Sequence, residues 1–494
     1  MASKTKPPLK VLIAASEAAP LAKEGGLGDV VGSLAPALAE LGCQAAVALP
    51  AYREITDNAP VRRVAADLPV RLGDAQLPVN VLEAELASGV PAYLVQYDPF
   101  FGRFGKYGDR FGAYGDNDER YILFSKAVFP LIHATGFAPD VILANDWQTG
   151  LIAPLLHNGA LPGCACVFVI HNLGYLGLVP GHHVHMLGLP DRYYTFEGLE
   201  FWGSMSLLKA GIAYADALVT VSPTYAREIQ TPEMGAGLDG LLRHRSDRLH
   251  GILNGIDPSQ WNPETDPHLA ANYSIKDRSG KKDCKRDLLA RAGLSETLMG
   301  RPVMGMVTRL VSQKGIDIFL VAAQEMLNMG MGLVVLGSGD PNYEQALTDL
   351  ALANPGIVSA IIAFDPAMSR KVFAGSDLLC VPSLYEPCGL TQMYAMAYGT
   401  LPVVRATGGL ADTVADPKDG NFPGTGFSFG PYWAGDLAWA ASRARDAYYT
   451  PAVWEAMTTE AMKTARNFSR DHSARQYLDL LERVAAEKKG PSAA

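Results

Sequence analysis

Short runs of Val, Ile, Leu and Ala that do not alternate with polar residues recur along the whole chain, and they decide the fold class. Val11 to Ala15, Val141 to Ala144, Val167 to Ile170, Ala217 to Val221, Val303 to Val307, Leu333 to Leu336, Leu378 to Val381 and Leu401 to Val404 are of this kind. A strand with one face in water alternates apolar and polar residues, whereas a strand covered on both faces by helices reads as an unbroken apolar run. Helical patterns fill the gaps; Val30, Leu34, Leu38 and Leu41, for example, share one face of a predicted helix. The class is therefore α/β, with two doubly wound, parallel sheets.

A chain of 494 residues is too long for one ordinary core. The alternation of strand and helix breaks between residues 255 and 300. Gly255 to Asp266 is rich in proline and polar residues, Ser274 to Arg286 is dense in charge, and the alternation restarts at Pro302. This predicts Rossmann-like domains over 1–255 and 256–470. Residues 471–494 then form a terminal segment in which Asp471 to Lys489 reads as an amphipathic helix with Tyr477, Leu481 and Val484 on one stripe. Residues 490–494 are expected to fray.

Composition narrows the function. Apolar residues make up 48% and charged residues 19%, as in a folded soluble protein. The net charge of −9 argues against a nucleic-acid groove or an anionic membrane as main partner. Six cysteines, at 43, 164, 166, 284, 380 and 388, lack the spacing of a disulfide framework, so a reduced, cytoplasmic setting is expected. Lys4, Lys6 and Lys10 precede an apolar stretch, but Glu17 interrupts it early, which fits a strand and glycine loop better than a signal peptide. No run of 18 apolar residues offers a membrane span.

Ligands of open α/β sheets collect at the carboxyl ends of strands, and the unusual polar residues gather there. After the first run comes Lys23-Glu24-Gly25-Gly26-Leu27-Gly28-Asp29-Val30, a glycine-rich turn opening a helix. Backbone amides at such a start suit an anion, and Lys23 adds a point charge. The spacing is not the G-x-G-x-x-G of dinucleotide folds, and a tight turn with a surface lysine is the plainer reading. Asn145-Asp146-Trp147 and His171-Asn172 follow the next two runs. A satisfied core histidine and a cleft residue are both open for His171.

In the second half, Arg309 and Lys314 share one loop and can hold a diphosphate from two sides, against the alternative of two solvated surface charges. Glu386 precedes Gly389, Leu390 and Thr391, where a helix from Leu390 to Tyr398 is predicted. There amides suit phosphate oxygens while the carboxylate faces a sugar hydroxyl; an ordinary loop carboxylate is the alternative. His182, His183 and His185 fit no standard zinc spacing. Asp116-Asn117-Asp118 mimics a metal-holding D-x-D but lies in an irregular loop with Tyr97, Phe100, Phe101, Phe104, Tyr107, Phe111 and Tyr114. Those aromatics either stack on sugars or pack the loop onto its domain.

Taken together these stretches resemble the bacterial and plastid glycogen/starch synthases. The resemblance is carried by KEGGLGDVVG at 23–32, NDWQTGL at 145–151, IHNLGYLG at 170–177 and GLEFWGSMSLLKAGIAYAD at 198–216. It continues with VSPTYAREI at 221–229, GILNGIDPSQWNPETD at 251–266, TRLVSQKG at 308–315, LGSGDP at 336–341 and the block from Val381 to Val414. It implies a GT-B architecture, two Rossmann-like domains facing a deep cleft. It also implies retaining transfer of glucose from ADP-glucose to the non-reducing end of an α-1,4-glucan in the cytoplasm, without metal or other cofactor. By matching motif, Glu386, His171, Arg309, Lys314 and Asp146 are the implied catalytic set. Lys23, Gly25, Gly26, Gly28, Asp29, Gly389, Leu390, Thr391, Gly408 and Gly409 are the implied donor-binding set. Glu24, Asn145, Phe364 and Arg470 depart from common family residues, and Tyr394 stands at the second position of an E-x7-E pattern, leaving Glu386 as the one motif carboxylate. UDP-glucose as donor, a different acceptor, and a non-catalytic glucan-binding protein are the alternatives.

Overall fold

The computed structural model describes residues 7–420 and 422–490. Lys4, Lys6 and the 491–494 part of the segment expected to fray lie outside them. The chain divides into two compact units. The first comprises residues 7–221, 226–255 and 470–490, and the second 222–225 and 256–469.

The strands of the first unit are β1 (Lys10–Ala14), β2 (Gln44–Pro50), β3 (Arg62–Leu72), β4 (Ala75–Glu85), β5 (Pro91–Gln96), β6 (Gly108–Asp109), β7 (Gly112–Ala113), β8 (Val141–Asn145), β9 (Ala165–Ile170), β10 (Leu178–Val179), β11 (Glu200–Phe201), β12 (Ser204–Ser206), β13 (Ala217–Thr220) and β14 (Leu249–Gly251). Nine of them form one sheet in the order β14-β13-β9-β8-β1-β2-β5-β4-β3. From β14 to β5 neighbouring strands are parallel, and β1, β8 and β9 are buried apart from the first residue of β1. This is why their sequences do not alternate.

The central strands are parallel as the apolar runs imply, and one edge of the sheet adds antiparallel pairing. β4 is antiparallel to both β3 and β5. β3 and β4 are joined by the two-residue turn Gly73-Asp74, with Gly73 at φ +60°. A helix, Asn117–Thr135, packs on this hairpin, and many of its residues stay exposed or half-buried, so its sequence is mixed rather than apolar.

The helix Gly26–Glu40 buries Val30, Leu34 and Leu38, and Leu41 caps it. The terminal helix spans Arg470–Lys489, buries Tyr477, Leu481 and Val484, and belongs to the first unit. Its ends are held there by Arg470 to Glu40 (3.1 Å) and Lys488 to Asp216 (2.9 Å).

The second unit holds β15 (Val303–Val307), β16 (Gly332–Gly337), β17 (Val358–Ile362), β18 (Leu378–Val381), β19 (Leu401–Arg405) and β20 (Phe427–Phe429). They form an all-parallel sheet in the order β17-β16-β15-β18-β19-β20. Its core joins Met304, Met306, Leu333 and Val335 to Ile316, Phe319 and Ala323 of the helix Ile316–Asn328. Residues 222–225 group with this unit, and Thr224 donates from its amide (2.8 Å) and its hydroxyl (2.7 Å) to the Asp412 carboxylate.

Each sheet has one point where successive strands turn from one direction of growth to the other, between β1 and β8 in the first and between β15 and β18 in the second. The loops leaving the carboxyl ends at such a point diverge and leave a crevice for ligand.

Candidate active site

In the first unit, the switch point brings together the loops after β1, β8 and β9. Asn145 ends β8 with its amide nitrogen donating to the carbonyls of Ala14 and Leu143, both at 3.0 Å. That orientation turns its Oδ1 toward His171 Nε2, 2.9 Å away. Nε2 must therefore carry the hydrogen, a tautomer assigned from this network, and Nδ1 is left as an acceptor. Burial pushes the His171 pKa down to about 3, so the ring is neutral over the physiological range. The residue is neither a spare core histidine nor an imidazolium, but a neutral ring held in one tautomer.

Asp146 follows with φ 55° and ψ −176°, a backbone region that few non-glycine residues adopt. Its Oδ1 accepts the amide hydrogens of His171 (2.7 Å) and Asn172 (3.3 Å), which clamps the end of β9 to the end of β8. Burial raises its pKa to about 7 against the lowering effect of those two hydrogen bonds, and the nearby Glu17 charge adds to the rise. The Asp146 side chain, one of the implied catalytic set, is thus already engaged through one oxygen in shaping the His171 turn.

The glycine-rich loop after β1 also has an occupant that its sequence concealed. Glu17 is buried, and its Oε2 accepts the amide hydrogens of Glu24 (2.6 Å) and Gly25 (2.9 Å) while Oε1 accepts the Tyr107 hydroxyl (2.6 Å). The anion site foreseen at Gly25 is filled in this structure by a carboxylate of the chain itself. Gly26 opens the helix, and Gly28 packs so closely that a Cβ would stand 3.2 Å from Glu17 Oε2 and the Ala22 carbonyl oxygen. Lys23 pairs with Asp29 at 2.7 Å, and burial raises the Asp29 pKa despite that partner.

In the second unit, the loops after β15 and β18 are pressed together through Gly315. At φ +74° a side chain there would be strained, and its Cβ would stand 2.2 Å from the Pro382 carbonyl oxygen. The contact is tightened by Leu384 N–H donating to the Gln313 carbonyl (2.8 Å) and by Gln313 Nε2 donating to the Tyr385 carbonyl (3.1 Å). It places Lys314 Nζ 2.6 Å from Glu386 Oε2, which also accepts the Ser383 hydroxyl at 2.8 Å. Both interactions use Oε2; Oε1 has no partner among the described residues. Arg309 is exposed at the end of β15 and its guanidinium forms no ion pair among the described residues.

Behind Glu386 the expected donor-binding glycines make a seat. A Cβ on Gly408, at φ +45°, would stand 2.0 Å from the Glu386 carbonyl oxygen, and the Gly409 amide donates to the carbonyls of Glu386 (3.1 Å) and Pro387 (3.2 Å). Gly389 sits at φ +72° above Gln392, whose Nε2 donates to the Gly389 carbonyl at 2.9 Å. The helix expected from Leu390 to Tyr398 is shorter, Thr391–Ala397, with Leu390 and Tyr398 as its caps.

The rejected metal patterns have structural partners. Asp116 caps the helix Asn117–Thr135 and holds Arg103 through both oxygens (2.8 and 2.6 Å). Asp118 pairs with His183 Nδ1 at 2.8 Å, and His185 Nδ1 lies 2.9 Å from the His182 carbonyl oxygen. No group of three or more His, Cys, Asp and Glu residues among the described residues is arranged to hold a metal ion. The aromatic loop divides: Phe100, Phe101 and Tyr107 pack inward, whereas Phe104 and Phe111 are exposed. Glu17, Tyr107, Asn145 and Ser383 are the residues that motif reasoning left out of the site. Two of them had a signal in the sequence: Asn145 in its place at a strand end and its departure from a common family residue, and Tyr107 as one of the loop aromatics.

The family described as starch synthase catalytic domain matches residues 10–244, and that described as glycosyl transferases group 1 matches residues 295–448. A glycogen synthase from Desulfatibacillum aliphaticivorans is 51% identical over 97% of this chain and 100% of its own. One from Anaeromyxobacter sp. is 45% identical over 97% and 100%. Among solved structures, the catalytic domain of starch synthase IV from Arabidopsis thaliana, bound to ADP and acarbose, superposes with a TM-score of 0.89. It is 33% identical and covers 97% of this chain and 99% of that domain.

Proposed function

This chain belongs to the glycogen and starch synthase family of GT-B glucosyltransferases, and we propose that it uses ADP-glucose to extend an α-1,4-glucan at its non-reducing end with retention of configuration. The glucosyltransferase activity comes with the family; donor, stereochemistry and residue roles are the proposal. ADP and acarbose in the Arabidopsis relative support a nucleoside diphosphate beside an oligosaccharide.

The observation that carries the chemical reading is the Lys314–Glu386 pair at the switch point of the second sheet, on the loop that also carries the exposed Arg309, which forms no ion pair among the described residues. Breaking the sugar–phosphate bond expels a diphosphate whose negative charge grows in the transition state. Fixed cations stabilise that charge more than they stabilise the ground state. Arg309 is free to bind phosphate oxygens. Lys314 has three donors and spends one on Glu386, so it bridges the leaving group and the carboxylate. Glu386 Oε1 accepts a hydroxyl of the transferred glucose. His171 Nδ1 accepts another, and its neutral ring adds no positive charge beside the oxocarbenium-like sugar.

Lys23, Asp29 and the loop glycines Gly25, Gly26 and Gly28 complete the donor contacts, with Gly389, Leu390, Thr391, Gly408 and Gly409 shaping the wall behind Glu386. No second motif carboxylate accompanies Glu386, so the two-carboxylate scheme of glycosidases does not apply. The acceptor 4-hydroxyl attacks from the face the phosphate leaves, and the departing phosphate oxygen takes its proton. Asp146 orients this acceptor through the oxygen that the His171 turn leaves unused. A cytoplasmic setting is part of the same proposal; no helix among the described residues is long and apolar enough to cross a membrane.

The test is incorporation of labelled glucose into glycogen with ADP-glucose and with UDP-glucose, with and without EDTA, and with the anomeric configuration of the new linkage read by NMR. Faster incorporation from ADP-glucose, insensitive to EDTA and giving the α-linkage, is the expected result. Preference for UDP-glucose or a β-linkage overturns it.

A further inference from the structure

Beyond His171 the chain builds a small antiparallel sheet, β10-β12-β11, that none of the proposed chemistry uses. β11 and β12 are joined by a two-residue turn, since Phe201 pairs with Ser204. Its central residues are Trp202 and Gly203, both at positive φ, 52° and 80°. Such a turn matches the twist of a hairpin and is normally made from Asn, Asp or Gly, because left-handed backbone is strained for a bulky side chain. Here the strained position carries a tryptophan that is 87% exposed.

The indole is therefore held out at the tip of a rigid mount. Lys209, almost wholly buried, donates from Nζ to the carbonyls of Glu200 (2.6 Å) and Phe196. The Gly203 amide donates to Glu200 Oε1 at 2.8 Å. Phe201 lies edge-on to the indole, with ring centroids 6.5 Å apart. Phe196, also exposed, lies under the same lysine.

The hairpin is continuous with the candidate site. Ser206 Oγ donates to the Leu176 carbonyl (2.7 Å), and the amides of Leu207 and Leu208 donate to Gly177 (3.0 Å) and Leu176 (3.2 Å). Those carbonyls lie on the segment that runs from His171 into β10, where Tyr175 and Leu178 are both about half exposed.

We propose that Trp202 is a stacking platform for an α-1,4-glucan chain, gripping glucose units of the polymer away from its reacting end. The inference rests on the glucan-extending function proposed above. A pyranose ring presents a flat face of C–H bonds that packs on an aromatic face, and a polymer acceptor extends past the two or three sugars that any reaction centre encloses. An exposed indole on a strained, internally braced turn, tied to the strand that follows His171, fits that chain. It gains nothing for folding, because asparagine at the same position relaxes the backbone.

Trp202→Asn separates these roles. The variant is expected to melt at the same or a higher temperature than the parent. It is expected to lose retardation in native gels cast with glycogen and to raise KM for glycogen by about tenfold, the scale of an aromatic stacking contact. KM for ADP-glucose, and kcat and KM with maltotriose, stay as in the parent. Unchanged retardation and unchanged KM for glycogen overturn the platform. A variant that keeps its glycogen affinity but sediments differently from the parent also overturns it, and assigns the patch to contact between copies of the chain. Gel retardation needs no donor. A parent that binds glycogen without extending it thus counts against the proposed reaction and leaves the platform standing, whereas a parent that extends glycogen with Trp202→Asn unchanged counts against the platform alone.

Discussion

The two units solve the same topological problem with opposite electrostatics. Each places its polar residues at the carboxyl ends of strands flanking a switch point. In the first unit those groups neutralise or neutralise-by-burial what they carry: Lys23 has Asp29, the loop amides have Glu17, His171 is held uncharged, and Asp146 is pushed toward its protonated form. In the second unit Arg309 forms no ion pair among the described residues and Lys314 shares its charge with a single carboxylate. One unit offers shape and neutral hydrogen-bonding groups, which suits a sugar; the other offers fixed positive charge, which suits a diphosphate.

The sharpest way to break this division is to remove the cations of the second unit. Arg309→Ala and Lys314→Ala are each expected to lower kcat by about 10²–10³-fold, the cost of one contact that stabilises charge in the transition state. Steady-state kinetics on variants with parental melting curves measures it. Turnover within twofold of the parent in either variant removes that residue from the leaving-group role.

The next contrast lies within the first unit, where His171 and Asp146 carry opposite shifts. His171 has a folded-state pKa of about 3 against an ordinary value of 6.5, so its contribution to stability is complete above pH 6.5 and is lost as pH falls toward 3. Asp146 has a folded-state pKa of about 7 against 3.8, so its contribution is complete below pH 4 and is lost as pH rises to 7. Between pH 4 and 6.5 the two slopes oppose one another. Asp146→Asn keeps the oxygen that accepts from His171 and Asn172 and removes one slope. Relative to the parent, its unfolding free energy is expected to fall by up to ~1.4 kcal/mol more for each pH unit of acidification. His171→Gln is expected to deviate in the other sense. Urea melts at pH 4.5, 5.5 and 6.5 read the difference, and three parallel profiles refute the assigned protonation states.

How much of this was legible in the sequence follows from what kind of contact each feature needs. The central strands were legible because burial on both faces writes itself into an unbroken apolar run, and β15 and β18 fall on the predicted residues. The hairpin of β3 and β4 was not, because a strand covered on one face at a sheet edge has no such run; its one signal was Gly73-Asp74. The site residues carried by motif lie where strand ends place them, but their partners are distant in sequence. Nothing local to Glu17 says that it fills the amides of Glu24 and Gly25, and the bond from Asn145 to Ala14 spans 131 positions. Gly315 reads as a turn glycine until Pro382 is seen against it.

Asn145 offers a finer test of the neutral half-site. Asn145→Ala leaves the His171 N–H without its acceptor and frees the ring to turn. A lost buried hydrogen bond costs about 1–1.5 kcal/mol, which corresponds to roughly tenfold in kcat/KM. Asn145→Asp keeps an acceptor but draws a proton onto the imidazole, and its activity is expected to fall at the acidic end of the profile, where His171 becomes charged. A flat loss across pH for both variants points to packing rather than tautomer control.

The smallest expected effect concerns Lys23, and it bears directly on the contrast between the units. Its charge is already met by Asp29 at 2.7 Å, and the pair is partly exposed, so water screens what remains. Lys23→Ala is therefore expected to raise KM for the donor about three- to tenfold while kcat stays within about threefold of the parent, since a neutralised cation contributes more to holding the substrate than to the transition state. Initial rates over a range of donor concentrations separate the two constants. A loss of kcat equal to that of Arg309→Ala means that Lys23 exchanges Asp29 for the leaving group during turnover.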